Sequence, residues 1–307
     1  MSLSAIIFSC DRPAQLELFL RTFRENAADF DHYAVSVLYK ATQAGFLAGY
    51  RELADANPGV FFCPETDEPV KLQLDRLTKH SSRDFSAFFV DDDVFIRGFS
   101  TRDTEFQRLI QNPRLLALSL RLHPFVFFCQ PLRCFTRPPG PVLIRALWRE
   151  LTRRGDQPWI PGWSLARRKI FGSRKLHRYW QQLTGYPRGD WAVWASVDGN
   201  VFRTERLLEL LQGVEDIRSV SDVEPALGRV VISPKRMLCY GKPRLVNLAM
   251  NRVDQYYNYP CAEISHHEMN ERFLRGERLD MSRLRGRRFV SCHLAMKPVW
   301  IKAVRSE

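Results

Sequence analysis

Between residues 3 and 90 the chain alternates short apolar runs with segments of helical periodicity, and this alternation restricts the possible folds more than any other feature. Leu3 to Phe8 is an apolar run. After Asp11-Arg12-Pro13, the apolar positions Leu16, Phe19, Leu20 and Phe23 recur at the spacing of one helix face. Pro13 suits a first helical turn, because the N–H it lacks would have no intrahelical acceptor there, so Asp11 or Arg12 precedes the helix. The pattern repeats as a strand over Ala34 to Tyr39, a helix over Ala44 to Asp55, a strand over Val60 to Cys63, a helix over Val70 to His80 and a fourth strand over Phe85 to Val90. Strands joined by helices pair in parallel through right-handed crossovers, which predicts an α/β fold with a doubly wound, mainly parallel, Rossmann-like sheet. Ligands of such sheets gather at the carboxyl ends of the strands, where the fourth strand runs into Asp91-Asp92-Asp93.

The second half is less regular. Between about Pro131 and Asp190 the rhythm is lost, prolines cluster at Pro131, Pro138, Pro139, Pro141, Pro158 and Pro161, and a basic run from Arg145 to Arg178 is interleaved with Trp148, Trp159, Trp163 and Phe171. This reads as a basic, aromatic-rich insertion. Regular structure resumes from Ala192, with a strand through Val201-Phe202 and a helix from Thr204 to Leu211.

A formal net charge of +12 points to an anionic partner: a nucleotide diphosphate, nucleic acid or an acidic membrane surface. No stretch approaches the roughly 18 apolar residues that span a bilayer, and the start MSLSAIIFSCDRP lacks a basic n-region and a full apolar h-region. A cytoplasmic protein, in peripheral contact with the inner face of a membrane through residues 145–178, is the expectation. The seven cysteines are scattered without a C-x-x-C pair, which reads as reduced thiols.

Three adjacent carboxylates at the end of an apolar strand are costly to bury unpaired, so a cation is their simplest partner. Magnesium or manganese held by few carboxylates fills its remaining positions with water and phosphate oxygens. Here the sequence resembles the GT-A glycosyltransferases, in particular the broad family-2-like group, whose hallmark is an aspartate-x-aspartate motif ending the fourth strand. The opening SAIIFSCDRPAQLELFLRTF is similar to theirs as well, and the likeness extends over residues 1 to about 120. It implies a metal-dependent enzyme, using Mn2+ or Mg2+, that moves a sugar from a nucleotide diphosphate sugar to a glycan or glycolipid acceptor, as in surface polysaccharide synthesis. Residues 1–120 would bind the nucleotide sugar and residues 121–307 the acceptor, within one continuous domain.

By the same resemblance, Cys10, Asp11 and Arg12 would touch the base and ribose. Asp91 and Asp92 would face the donor, Asp93 would ligate the metal together with Asp91, and Lys71 would contact the nucleotide. Ser291-Cys292-His293-Leu294-Ala295-Met296-Lys297-Pro298-Val299-Trp300 is similar to a closing element in which a histidine completes the metal shell and a lysine offsets phosphate charge, which falls on His293 and Lys297. The pair His266-His267 competes for the ligand role. Transfer with inversion also needs a carboxylate to take the acceptor proton. In the enzymes it resembles, that group comes from an acidic helix start after a glycine-containing acceptor loop; with Val197-Asp198-Gly199-Asn200-Val201-Phe202-Arg203 as the loop, the resemblance implies Asp222 and Glu224 as the candidate bases, although Ser221 or Asp222 would serve equally as a helix cap. A nucleotidyltransferase would share the sheet and the carboxylates, but the turn Ser9-Cys10-Asp11-Arg12-Pro13 has no glycine. A nucleic-acid-binding protein would explain the basic insertion and leave the three aspartates unexplained, so no nucleic acid is expected.

Overall fold

Strands β1 (Leu3–Cys10), β2 (Ala34–Lys40), β3 (Val60–Pro64) and β4 (Phe85–Val90) pair in parallel. They alternate with helices α1 (Pro13–Asn26), α2 (Ala44–Ala56) and α3 (Val70–His80); α1 starts at Pro13 as expected, and α2 and α3 lie within one residue of their predicted limits. The computed structural model describes residues 2–81, 83–136, 179–181, 189–193, 195–214, 217–230, 236–252, 261–262 and 264–302. The basic run over 145–178 therefore lies outside the described residues.

After β4 come β5 (Asp93–Phe95), α4 (Thr104–Gln111), β6 (Ala117–Ser119), a small hairpin of β7 (Phe128–Cys129) and β8 (Cys134–Phe135), β9 (Tyr179–Gln181), β10 (Asn200–Arg203), α5 (Thr204–Gln212) and α6 (Val223–Arg229). The chain continues through β11 (Arg236–Cys239), β12 (Leu245–Ala249), α7 (His266–Leu274), β13 (Glu277–Leu279), β14 (His293–Ala295) and β15 (Trp300–Lys302). Among the described residues the central sheet has eight strands in the order β3-β2-β1-β4-β10-β6-β11-β9. Among these described strands only β10 and β9 run against their neighbours. Because β10 pairs with β4 on one side and β6 on the other, the sheet is continuous across residue 120. A smaller sheet of β14, β12 and β5 stands beside it.

Both faces of the central sheet are covered, which is why its strands read as unbroken apolar runs. Along β1, Leu3, Ala5 and Ile7 enter a core with α1, α2, β5 and β12, while Ile6 and Phe8 enter a second core with α3, α5 and α6. Strand β4 divides in the same way, with Phe85, Ala87 and Phe89 on the first side and Phe88 on the second. Phe19, Phe23, Phe89 and Phe95 join the small sheet to the large one, the rings of Phe23 and Phe95 stacking at 4.7 Å. No helix among the described residues is long and apolar enough to cross a membrane.

Helices α1, α2 and α7 meet at Gly49, where a Cβ would fall 2.6 Å from Asn270 Oδ1 and 2.7 Å from Pro13 Cγ. Asn270 is itself held by donating to the Gly45 carbonyl at 2.9 Å, so it has little room to give. Gly49→Ala is expected to lower stability by about 1–3 kcal/mol through overpacking. A lower urea midpoint with an unchanged m-value is the expected readout; an unchanged midpoint would mean that the three helices are not closely packed there.

Candidate functional site

Strand order reverses between β1 and β4: the chain first steps outward from β1 to β2 and β3, then returns to the other side of β1. The crevice at their carboxyl ends is the topological switch point of the sheet. At this edge the chain leaves β1 through Asp11, whose φ of 56° lies in the left-handed region. Aspartate tolerates that conformation better than most residues, and here its carboxylate accepts from Thr42 N at 2.8 Å and Thr42 Oγ1 at 2.6 Å, just beyond β2. Arg12 follows, and its buried Nη1 lies 3.1 Å from Asp91 Oδ1 and 3.2 Å from Asp92 Oδ2, while Nη2 donates to the Asn251 carbonyl at 2.8 Å. The other Asp91 oxygen accepts from Ser9 Oγ at 2.8 Å and Cys10 N at 3.3 Å. Ser9 Oγ shares a hydrogen bond with Tyr50 OH at 2.7 Å, and that phenol oxygen accepts from Arg12 N at 3.1 Å.

Asp92 and Asp93 are held from the small sheet. Asn247 Nδ2 donates to Asp92 Oδ1 at 2.7 Å, and Leu248 N donates to the Asp92 carbonyl at 2.7 Å. Register places Asp93, Asn247 and His293 in one row across β5, β12 and β14. Asp93 is fully buried; one oxygen accepts from Val90 N at 3.3 Å and the other, Oδ1, has no partner among the described residues. Burial pushes the Asp91 carboxyl up to about 6 against the pull of Arg12, with the charge of Asp92 adding to the rise. Asp92 is raised by burial too, and Asp93 is raised well above the carboxylate range by burial and by its neighbours Asp198 and Asp92.

A second charged group closes the crevice from the other half of the chain. Arg121, wholly buried, donates from Nη1 to Asp198 Oδ2 at 2.8 Å and lies 3.7 Å from Asp190 Oδ1. His293 sits between the same two carboxylates: Nδ1 is 3.2 Å from Asp190 Oδ1, outside hydrogen-bond alignment, and Nε2 is 3.4 Å from Asp198 Oδ2. Burial disfavours a charge on His293, but the two carboxylates outweigh it and carry the ring up to about 10. Asp190 moves the other way: burial would raise it, yet His293 and Arg121 hold it down at about 2. The turn that presents Asp198 depends on Gly199, at a φ of 69°, where a Cβ would fall 2.5 Å from Leu245 Cδ2. Glu224 Oε2 accepts from Ser196 Oγ and Val197 N, both at 3.4 Å; burial, then repulsion by Asp198, pushes it up to about 7.

The structure thus gathers Cys10, Arg12, Asp91, Asp92, Asp93, His293 and Glu224 into one neighbourhood, and separates others. Asp222 belongs to a cap: its Oδ2 accepts from Ser219 N at 2.8 Å and Ser219 Oγ at 2.9 Å, forming a capping box in the turn before α6. Lys71 donates from Nζ to the Val214 carbonyl, and its N–H donates to the Ile217 carbonyl at 3.2 Å, so its ammonium is turned to the segment after α5. Lys297 is exposed on the loop between β14 and β15. His266 opens α7, its pKa lowered by burial and then by Arg12, and His267 packs on Phe46 at 4.9 Å.

The expected ligand set of Asp91, Asp93 and His293 does not converge: among the described residues no three His, Cys, Asp or Glu side chains form a group that could hold a metal. The reason is electrostatic. Arg12 takes up Asp91, and both ring nitrogens of His293 already face protein groups, Nδ1 towards Asp190 and Nε2 towards Asp198 and, at 3.2 Å, Arg121 Nη1. What remains is a surplus of acid, with Asp91, Asp92, Asp93, Asp190, Asp198 and Glu224 facing Arg12, Arg121 and His293. The unpartnered Oδ1 of Asp93 fits a hard divalent cation whose other positions are filled by water and phosphate.

Sequence reasoning missed Arg121, Asp190, Asn247 and the Ser9–Tyr50 pair. A lone arginine in Leu118-Ser119-Leu120-Arg121-Leu122 and a lone asparagine in Leu245-Val246-Asn247-Leu248-Ala249 were usable signals, since a polar side chain inside an apolar run needs a buried partner.

No protein-family model and no curated protein matches the sequence. Among solved structures, the chain is similar to a mannosyltransferase from Pyrobaculum calidifontis in complex with GDP-Man and Mn2+, at 16% identity over 42% of this chain and 41% of that one, with a TM-score of 0.31. It is also similar to TarS from S. aureus, at 11% identity over 80% of this chain and 36% of that chain (TM-score 0.42), and to TarS 1-349, at 11% identity over 80% and 60% (TM-score 0.43). The chain covers less than two thirds of the length of each. Likeness this loose says nothing about chemistry, and the α/β fold rests on strand order and register.

The His293 ion pairs give a pH-dependent stability. The folded-state value of about 10 exceeds the roughly 6.5 of a free imidazole, so the contribution is complete below about pH 6.5 and is lost as pH rises through about 10. The urea midpoint is expected to fall across that window, and to fall less steeply in His293→Gln. Equal slopes in the two proteins would mean that the ring is not a folded-state cation.

Proposed function

We propose that this chain is a glycosyltransferase, moving a sugar from a nucleotide diphosphate sugar to an acceptor hydroxyl. The observation that carries the reading is the crowding of acid at the switch point, with Asp93 Oδ1 unpartnered on the β4 side and Glu224 raised to about 7 on the other. The resemblance of the Asp91-Asp92-Asp93 strand end and the Ser9-to-Pro13 turn to GT-A enzymes supports it. When bound at Asp93, Mn2+ or Mg2+ would offset the charge of the diphosphate and make it a better leaving group.

In this reading the chain's own groups divide the work. Arg12, fixed by Asp91, Asp92 and the Asn251 carbonyl, shapes the floor on which the base and ribose lie, with Cys10 and Asp11 at its rim. Glu224 takes the proton of the acceptor hydroxyl as its oxygen attacks the anomeric carbon; the bond from that carbon to the diphosphate oxygen breaks, and one displacement inverts the centre. Lys297, exposed on the loop after β14, remains the basic candidate for the diphosphate by resemblance alone. Asp222 and Lys71 drop out of the machinery, because a cap and a helix-end carbonyl already hold them. A screen of nucleotide sugars for nucleotide diphosphate release, with and without manganese, tests the reading directly; no release from any donor would overturn it.

Two substitutions separate the roles. Asp93→Asn keeps the shape and removes the charge, so it is expected to fold normally yet lose manganese-dependent binding of nucleotide diphosphates in calorimetric titration. Unchanged affinity would remove the cation from Asp93. For Glu224, the base works only when deprotonated, so turnover is expected to rise with pH through about 7. Glu224→Gln is expected to lower kcat by about 100- to 10,000-fold, with little change in KM and no limb near 7. A variant that retained both rate and limb would place the base elsewhere.

A further inference from the structure

We propose that the hairpin of β7 and β8, together with the segment leading into β14, docks on an anionic lipid bilayer and holds the Asp190–His293 side of the crevice towards it. Three large apolar side chains stand out from these two segments, with Leu132 59%, Phe135 86% and Val290 61% exposed. The segments form one unit: Phe127 N and Phe128 N donate to the Val290 carbonyl at 2.8 and 2.9 Å, and the Phe128 and Phe135 rings meet edge-on at 5.6 Å. Exposed apolar tips of this size need a reason, and the surrounding charge supplies one. Neither 121–136 nor 281–302 contains an aspartate or glutamate, while Arg133, Arg287 and Arg288 are all exposed. Apolar tips that enter the headgroup boundary, with Arg133 beside Leu132 and Arg287 and Arg288 just before Val290 in the chain to meet lipid phosphates, form the pattern of interfacial binding. A nucleic acid would account for the arginines and leave the leucine and valine idle.

The same unit is braced against the crevice. The side-chain amide of Gln130, at the hairpin turn, donates to the His293 carbonyl and accepts from Ala295 N at 3.1 Å. Gly189 is packed so tightly on Cys129 that a Cβ would lie 2.8 Å from its Cβ, with Asp190 next in the chain. This inference does not depend on sugar transfer, because it concerns the surface and is read by binding alone. If the transferase reading also holds, the acceptor delivered at this side is lipid-linked.

Co-sedimentation of the full chain with vesicles of phosphatidylcholine, with and without phosphatidylglycerol, tests it. The wild type is expected to partition onto the anionic vesicles and to leave them as salt rises from 0.1 to 0.5 M, since screening shortens the reach of the arginines, as estimated at about 10 Å in 0.1 M salt. Leu132→Ser, Phe135→Ser and Val290→Ser combined should lower the partition coefficient at least about tenfold, and Arg133→Ala or Arg287→Ala about fivefold each. Phe61→Ser, at an exposed site on β3, should change nothing. The proposal is overturned if the wild type stays in solution with anionic vesicles, or if the triple serine protein, folded by circular dichroism, partitions like the wild type. It is equally overturned if Phe61→Ser loses as much as the triple variant, or if the arginine substitutions abolish duplex DNA binding and leave vesicle binding intact.

Discussion

The guanidinium of Arg12 is the point on which the crevice depends. It lies between Asp91 and Asp92 and also reaches the carbonyl of Asn251, so one side chain joins the turn after β1, the end of β4 and the segment after β12. Two adjacent carboxylates this deeply buried would otherwise repel each other and be driven neutral. The arrangement works because Arg12 is itself aimed: Asp11 is anchored on Thr42, and Tyr50 accepts from the Arg12 N–H. Removing one partner of such a group is far more damaging than the modest net stabilisation of the intact set would suggest.

A second set, Arg121 with His293, Asp190 and Asp198, closes the opposite side, and the two sets touch through Asn247, which bonds Asp92 and pairs in register with both Asp93 and His293. Between them the cations do not match the acids. Among the described residues Asp93 and Glu224 form no ion pair, one on each side, and burial with neighbouring acid moves both towards the neutral form. That imbalance is what distinguishes the crevice from an ordinary buried ion-pair network, in which each charge is met within the protein.

Much of the first half was legible because its signals are local. Strand limits follow from apolar runs bounded by polar turns, and helix α1 from Pro13 and the spacing of Leu16, Phe19 and Phe23; β4 was located to the residue. The elements that complete the crevice were not legible, since they are short and set by distant pairing. Strand β5 has three residues, and only its partner β12, 150 or so residues on, makes Asp93 part of a sheet. The roles of Asp222 and Glu224 diverge for the same reason. Both stand at one helix start in sequence, but whether a carboxylate turns back to Ser219 or across to Ser196 and Val197 is decided by tertiary packing. His293 shows a further limit: its residue type allows ligand or cation, and only the two aspartates around it favour the charged form.

The insertion of β10 between β4 and β6 imposes an order of assembly on the nascent chain. Strand β4 emerges from the ribosome with β1 available on one edge, while the strand that covers its other edge begins at Asn200, after more than a hundred further residues have been made. At roughly 5–20 residues per second, the Phe85–Val90 edge waits for several seconds or more with its backbone groups unpaired. Six residues of phenylalanine, serine, alanine and valine with no charge are a ready template for another chain. An unpaired edge of this kind is open to aggregation during that interval, so synthesis speed and chaperone capture bear on the yield of this protein besides the stability of its finished sheet.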